Sequence, residues 1–181
     1  MSDRSHLVRW LCHDLATPIA SVLTASELLD DDVADAEINA LILSGARRLT
    51  ARLRLVRLAL GAADGAMSGA ALGRLVREGL DGTPVDWTFT DDAVDGMAAL
   101  IAGAALITAD LNRTKPISVG PAGVTVGGGC SWPDSVAAAF AGAPASCNRS
   151  AVAAELVAAA ARAGTHLTCS DKGLHWGSHR G

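Results

Sequence analysis

The sequence predicts an α+β protein: an N-terminal antiparallel helical hairpin that forms a four-helix bundle by homodimerisation, followed by an α/β sandwich. Three observations predict it. Residues 3 to about 60 hold one glycine, Gly45, and one proline, Pro18, and their apolar residues recur at helical spacing. "GAADGAMSG" at 61–69 has the composition of a linker. Beyond it, short alternating runs interleave with Ala-rich helical ones. The chain therefore divides into a hairpin, 1–62, and a sandwich, 67–181.

Each element has its own reason. Leu11, Leu15, Pro18, Val22, Ala25 and Leu29 step by alternating threes and fours, the pattern of a bundle seam. "DDDVAD" at 30–35 interrupts the stripe, with acids suited to a turn and to the first turn of the next helix. Ile38, Ile42, Gly45, Leu49, Leu53, Val56 and Leu60 make the second stripe. One hairpin cannot cover both stripes, whereas two can, hence the expected homodimer. After the linker, "AALGRLVREGL" reads as a helix and "VDWTFT" at 85–90 as a strand. "VDGMAALIAGAALITADLNR" is a helix ending before Pro116. "KPISVG" and "GVTVGGG" form a hairpin about "PAG". "NRSAVAAELVAAAARAG" is a helix with Asn148 or Ser150 near its cap and Gly164 past its end, and "THLTCSD" and "GLHWG" pair as a last hairpin. One sheet covered by helices on one face accounts for this order.

Composition narrows the function classes. A net charge of −4 gives no reason to expect a nucleic acid or an anionic membrane as partner. The most apolar stretch, within 94–111, is short and weak for a spanning helix, and the start carries charges where a signal peptide would be apolar. The expected setting is the cytoplasm. Cys12, Cys130, Cys147 and Cys169 stand far apart, and without a CxxC they read as small buried thiols in a reducing compartment. Asp134, Asp171, His166, His175 and His179 lack ligand spacing within one element.

"HDLATP", from His13 to Pro18, is the unusual stretch. With Leu15 at a and Leu11 at d, His13 falls at f, the outermost position, and Asp14 at g. A mid-helix proline frees a carbonyl near residue 14, a cost more easily understood at a functional site than in a plain bundle. A neutral imidazole is a good nucleophile towards phosphorus at neutral pH. A neighbouring carboxylate can hold the other ring nitrogen's proton. The box resembles the phosphoacceptor box of histidine kinases: His, acid, Leu, x, Thr or Asn, Pro. More closely, "RWLCHDLATPIASVLTASELL" resembles the start of the ChpT-like histidine phosphotransferases of alphaproteobacteria. The resemblance implies a dimeric bundle followed by a histidine-kinase-ATPase-like sandwich. It also implies a relay, from the receiver domain of a hybrid histidine kinase to response regulators. His13 is then the phosphoacceptor, with Asp14, Thr17 and Pro18 completing the site.

The second half bears on whether such a protein uses ATP. "AGAALITADLNRTK" holds Asp110 and Asn112 but not two asparagines four apart, and no Asp-x-Gly-x-Gly occurs. Gly127 to Gly129 could cradle a phosphate but more often such a triplet ends a strand. The sandwich reads as a degenerate ATPase-like domain used for contacts. No cofactor is expected on this chain, with Mg²⁺ held by the partner receiver. A phosphorylation-silent dimeric scaffold that binds receivers and a divergent ATP-dependent kinase remain the alternatives. For docking, Ala16, Ala20 and Leu23 are small or apolar positions on the exposed side of helix 1. Arg47, Arg48, Arg52, Arg54 and Arg57 lie in one stretch of helix 2, expected opposite His13, with Arg47 and Arg54 steering an acidic receiver.

Overall fold

The computed structural model describes residues 3–27, 36–62, 66–92 and 96–177. The acidic turn at 30–35, Leu29, residues 63–65 of the linker and His179 lie outside them. Two long helices come first, α1 (Asp3–Glu27) and α2 (Ala36–Ala59), packed against each other as a hairpin. There follow α3 (Gly69–Gly79), β1 (Val85–Trp87), α4 (Met97–Leu111), β2 (Ile117–Gly120), β3 (Gly123–Val126), α5 (Asp134–Phe140), α6 (Asn148–Arg162), β4 (His166–Ser170) and β5 (Gly173–Gly177). The strands form one sheet in the order β1-β2-β3-β5-β4. β1 and β2 are parallel, joined by the α4 crossover, and the other pairs are antiparallel.

Alternation decides the two faces of the sheet. Ile117, Val119, Val124, Val126, Leu174 and Trp176 are buried against the helices. Their neighbours Asp86, Ser118, Thr125, His175 and Thr168 lie in register on the other face. α4 is buried all round, from Ala98 to Ala109, because it runs between the sheet and helices α2, α3 and α6. Its alanines and Gly103 permit that approach: a Cβ at Gly103 would strike the Leu156 side chain of α6. The chain's most apolar stretch is thus a core helix, and no described helix is long and apolar enough to cross a membrane. The hairpin contributes Trp10, Leu55, Val56, Leu58 and Ala59 to the same buried cluster as the sandwich.

Three expectations are corrected. Leu53, placed on the inner stripe of α2, is exposed, and Leu55 and Leu58 are buried instead. The lower half of α2 packs on α3 and α4 as well as α1, which rotates its buried face. The 85–90 strand stops at Trp87, whose indole N–H donates to the Phe89 carbonyl at 2.6 Å, while Phe89 turns inward. Helix α5 has no counterpart in the sequence reading, because seven residues are too few for a periodic signal. α6 begins where expected: Asn148 is its first residue and Ser150 the reciprocal partner in a capping box whose cap is Cys147. Gly128 and Gly129 take positive φ and turn the chain after β3, where the Lys115 ammonium donates to the Gly129 carbonyl at 2.6 Å.

Candidate functional site around His13

α1 runs unbroken through Pro18. The ring cannot donate to the Asp14 carbonyl, so the backbone beside His13 keeps a free acceptor. One turn on, the Ser21 hydroxyl donates to the Thr17 carbonyl at 3.1 Å. His13 is exposed, as its outer heptad position requires, and so are Ala16, Thr17, Ala20 and Leu23, with Pro18 half-buried. The N-terminal half of α1 is anchored on α6. Trp10 is buried there, and the His6 ring nitrogen Nδ1 lies 3.2 Å from the Asn148 side-chain oxygen.

Asp14 does not hold the His13 ring. Both its oxygens are taken by Arg52 of α2, which donates Nε–H to one at 2.8 Å and a terminal N–H to the other at 2.6 Å. Arg52 also donates to the Gly79 carbonyl at the end of α3, at 3.2 Å. The reason is angular: adjacent residues on a helix point about 100° apart. His13 therefore faces outwards while Asp14 faces α2. The level of the pair is as expected, since Arg52 belongs to the stretch of α2 expected opposite His13. The result is a three-helix strut, and neither charge is well exposed. Close packing assists it: a Cβ at Gly45 would come 2.8 Å from Val22, and one at Gly79 2.7 Å from Leu55.

The arginines of α2 separate. Arg48 pairs with Asp81 at 3.1 Å, and Arg47 is exposed. Arg54 and Arg57 line a groove beside α3 with Met67, Arg74 and Glu78, away from His13. The expectation that this stretch flanks His13 as one basic surface is thus corrected, because helical rotation distributes consecutive arginines over all sides of α2.

His13 instead borders a cavity of about 730 Å³ between α1, the end of α4 and the start of α6. Its cations are Arg9, Arg113 and Arg149, none of which the sequence reading selected. Asp110 joins two of them, accepting from Arg113 at 2.8 Å and from Arg149 at 3.0 Å. Burial pushes the Asp110 carboxyl up, but the hydrogen bonds and charges of both guanidiniums outweigh it and hold it below the usual value. Arg9 was legible by spacing, one turn before His13 on the same helix; Arg149 was not, being 136 positions away and brought in by the fold. A second cavity, about 540 Å³, lies behind the strut and shares Asp14, Thr17, Asp110 and Arg113 with the first.

Cys147 also lines the His13 cavity. Burial works to raise its thiol, but hydrogen bonds from Ser135 and Ser150 bring it down to about 7. Burial raises Cys130 and Cys169, while Cys12 is exposed, a correction to the reading of four buried thiols; all four are free. Asp110 and Asn112, the candidates for nucleotide chemistry, are otherwise engaged. Asn112 is buried and donates to the Thr108 carbonyl at 2.9 Å as the cap of α4. Among the described residues no group of three or more His, Cys, Asp or Glu could hold a metal ion.

No family model matches the chain. Over 56 residues, 31% of this chain, it is 43% identical to protein phosphotransferase ChpT of Brucella abortus (strain 2308), and the stretch spans about a quarter, 27%, of that protein. A solved structure described as a bacterial phosphotransferase superposes with a TM-score of 0.73, covering 96% of this chain and 94% of that one at 22% identity. The chain is thus ChpT-like in sequence over one stretch, and from end to end it has the fold of a bacterial phosphotransferase.

Proposed function

We propose that this protein is a histidine phosphotransferase of a two-component phosphorelay, working in the cytoplasm as a homodimer. The observation that carries the reading is the exposed imidazole of His13, in its acid–Leu–x–Thr–Pro setting, at the rim of a cavity furnished with guanidiniums. The phosphotransferase name of the matched relative supports the same reading. A ring nitrogen of His13 attacks the phosphorus of a receiver's aspartyl phosphate. The N–P bond forms as the P–O bond breaks, and the aspartate leaves as carboxylate. A second receiver's aspartate reverses the step. Mg²⁺ belongs to the receivers, and the chain needs no ATP. Asp14 supports the site by anchoring α1 through Arg52, with Thr17 and Pro18 shaping the next turn.

Docking is assigned to the exposed small positions Ala16 and Ala20 with Leu23, which permit close approach of a receiver, and Arg47 supplies long-range attraction. Arg54 acts only at a distance from this face. Val8, Cys12 and Ile19 fall on one side of α1 and are all exposed, an apolar stripe suited to a second copy of the hairpin. The test is direct. The purified chain mixed with phosphorylated receiver domains acquires an acid-labile, base-stable label, and His13→Ala abolishes it while leaving fold and dimer unchanged. Receiver binding without label would make the chain a silent scaffold. Label from ATP alone would make it a kinase.

A further inference from the structure

We infer that Arg9, Arg113 and Arg149 form an oxyanion cradle for the phosphoryl group carried by His13, with Asp110 setting two of the three guanidiniums in place. The inference rests on the reading of His13 as phosphoacceptor and names the part of the chain that holds the charge once it arrives.

The placement of charge is the first argument. Asp110 lies in the last turn of α4, at the negative end of that helix, and Arg149 in the first turn of α6, at the positive end. Each stands against its own helix dipole. Asp110 does so with only 11% of its side chain exposed. Helix stability alone selects neither residue. What the arrangement achieves is to bring Arg149 and Arg113 together at the cavity that His13 borders.

Charge and donor count are the second. Asp14 is neutralised by Arg52, so the cavity balance is three guanidiniums against the single carboxylate of Asp110. The surplus, two positive charges with the Cys147 thiol protonated and one with it ionised, suits a phosphoryl group, which carries close to two negative charges at neutral pH. Each guanidinium has five N–H donors in a planar fork. Arg113 and Arg149 give Asp110 one hydrogen bond each, so both keep donors for other oxygens. Arg9 has no acidic partner among the described residues and sits four positions before His13, the separation at which helical side chains meet. The other titratable groups around the cavity are His6, turned to Asn148, and Cys147, engaged by Ser135 and Ser150.

The prediction is read from the phosphoryl group itself. Potassium phosphoramidate loads the full-length chain chemically: its P–N bond breaks, ammonia leaves, and a new N–P bond forms on the imidazole. The ³¹P resonance of phospho-His13 is identified by its loss in His13→Gln and titrated with pH. Cations at hand favour the dianion, so its second ionisation lies below that of free phosphohistidine. Arg9→Gln and Arg149→Gln each move it back, by roughly two- to five-fold in the acidity constant, the range given by exposed charge pairs. Arg9→Lys keeps the charge and most of the shift. A role of these arginines in stability or in receiver docking would leave the ionisation unmoved. If the wild type and both variants titrate like free phosphohistidine, there is no cradle, while label arriving from receivers would still uphold the relay. If neither phosphoramidate nor receivers label His13, both readings fall together. Arg9 lies on an exposed surface of α1, so its variants fold even if Arg149→Gln does not.

Discussion

The two halves of α2 share one helix and similar apolar content, yet they are buried differently. In the lower half Ala51, Leu55, Val56, Leu58 and Ala59 are all buried, because α3 and α4 pack beside α1 there. In the upper half Leu41 and Leu43 remain 61% and 57% exposed. α1 repeats the contrast: Trp10 is buried against α6, whereas Ile19 and Leu23 lie open. The lesson is that an amphipathic stripe states that a helix has a partner without stating which one. The lower half of α2 is satisfied within the chain except at Leu53, and that of α1 except along Val8 and Cys12. The upper halves are complete only in the proposed dimer.

The largest effect separates the halves directly. Leu55→Ala removes a fully buried side chain and costs about 2–5 kcal/mol by chemical denaturation. Leu43→Ala changes the stability of the monomer by about 0.5 kcal/mol or less and weakens dimerisation instead, as sedimentation at falling concentration would show. A large loss at Leu43 in the monomer would mean that the upper half already has its partner within one chain.

Next comes the strut at the boundary between the halves. Arg52→Ala leaves the poorly exposed Asp14 carboxylate without its two charged hydrogen bonds and lowers stability by about 1–3 kcal/mol. Arg52→Lys restores only part, since an ammonium cannot match both oxygens as the planar fork does. Full recovery by lysine in thermal melts would reduce the strut to simple charge attraction.

The smallest effect reports on the docked end of α1. Cys147, with its thiol lowered to about 7, is alkylated at lower pH than Cys130 or Cys169, followed peptide by peptide by mass spectrometry. The sign follows from a depressed folded value. The thiolate's contribution to stability is fully present above the ordinary thiol value of 9.0 and is lost as pH falls through about 7. Cys147→Ser flattens the stability profile between those limits. A profile unchanged by the substitution would show that the cap does not favour the thiolate.

Much of the molecule is determined by the sequence alone. Period and linker composition were enough for the hairpin, for α3, α4 and α6, and for both β-hairpins, since these signals arise within a few residues. The outward aspect of His13 also follows from local spacing, because heptad position relative to Leu11 and Leu15 is a property of one helix. Only the tertiary structure decided the rest. Sequence adjacency made Asp14 the natural partner of His13, but a helix turns successive side chains apart, and Arg52, 38 residues on, takes the carboxylate. The five arginines of α2 looked like one patch and are dealt to different neighbours by the same rotation. The cations that do reach the His13 cavity come from the second turn of α1, the first turn of α6 and just past α4. Their meeting depends on α4 being buried on every side and on Trp10 seating α1 against α6. Such packing sums many weak contacts across the whole chain, and no short window of sequence contains it.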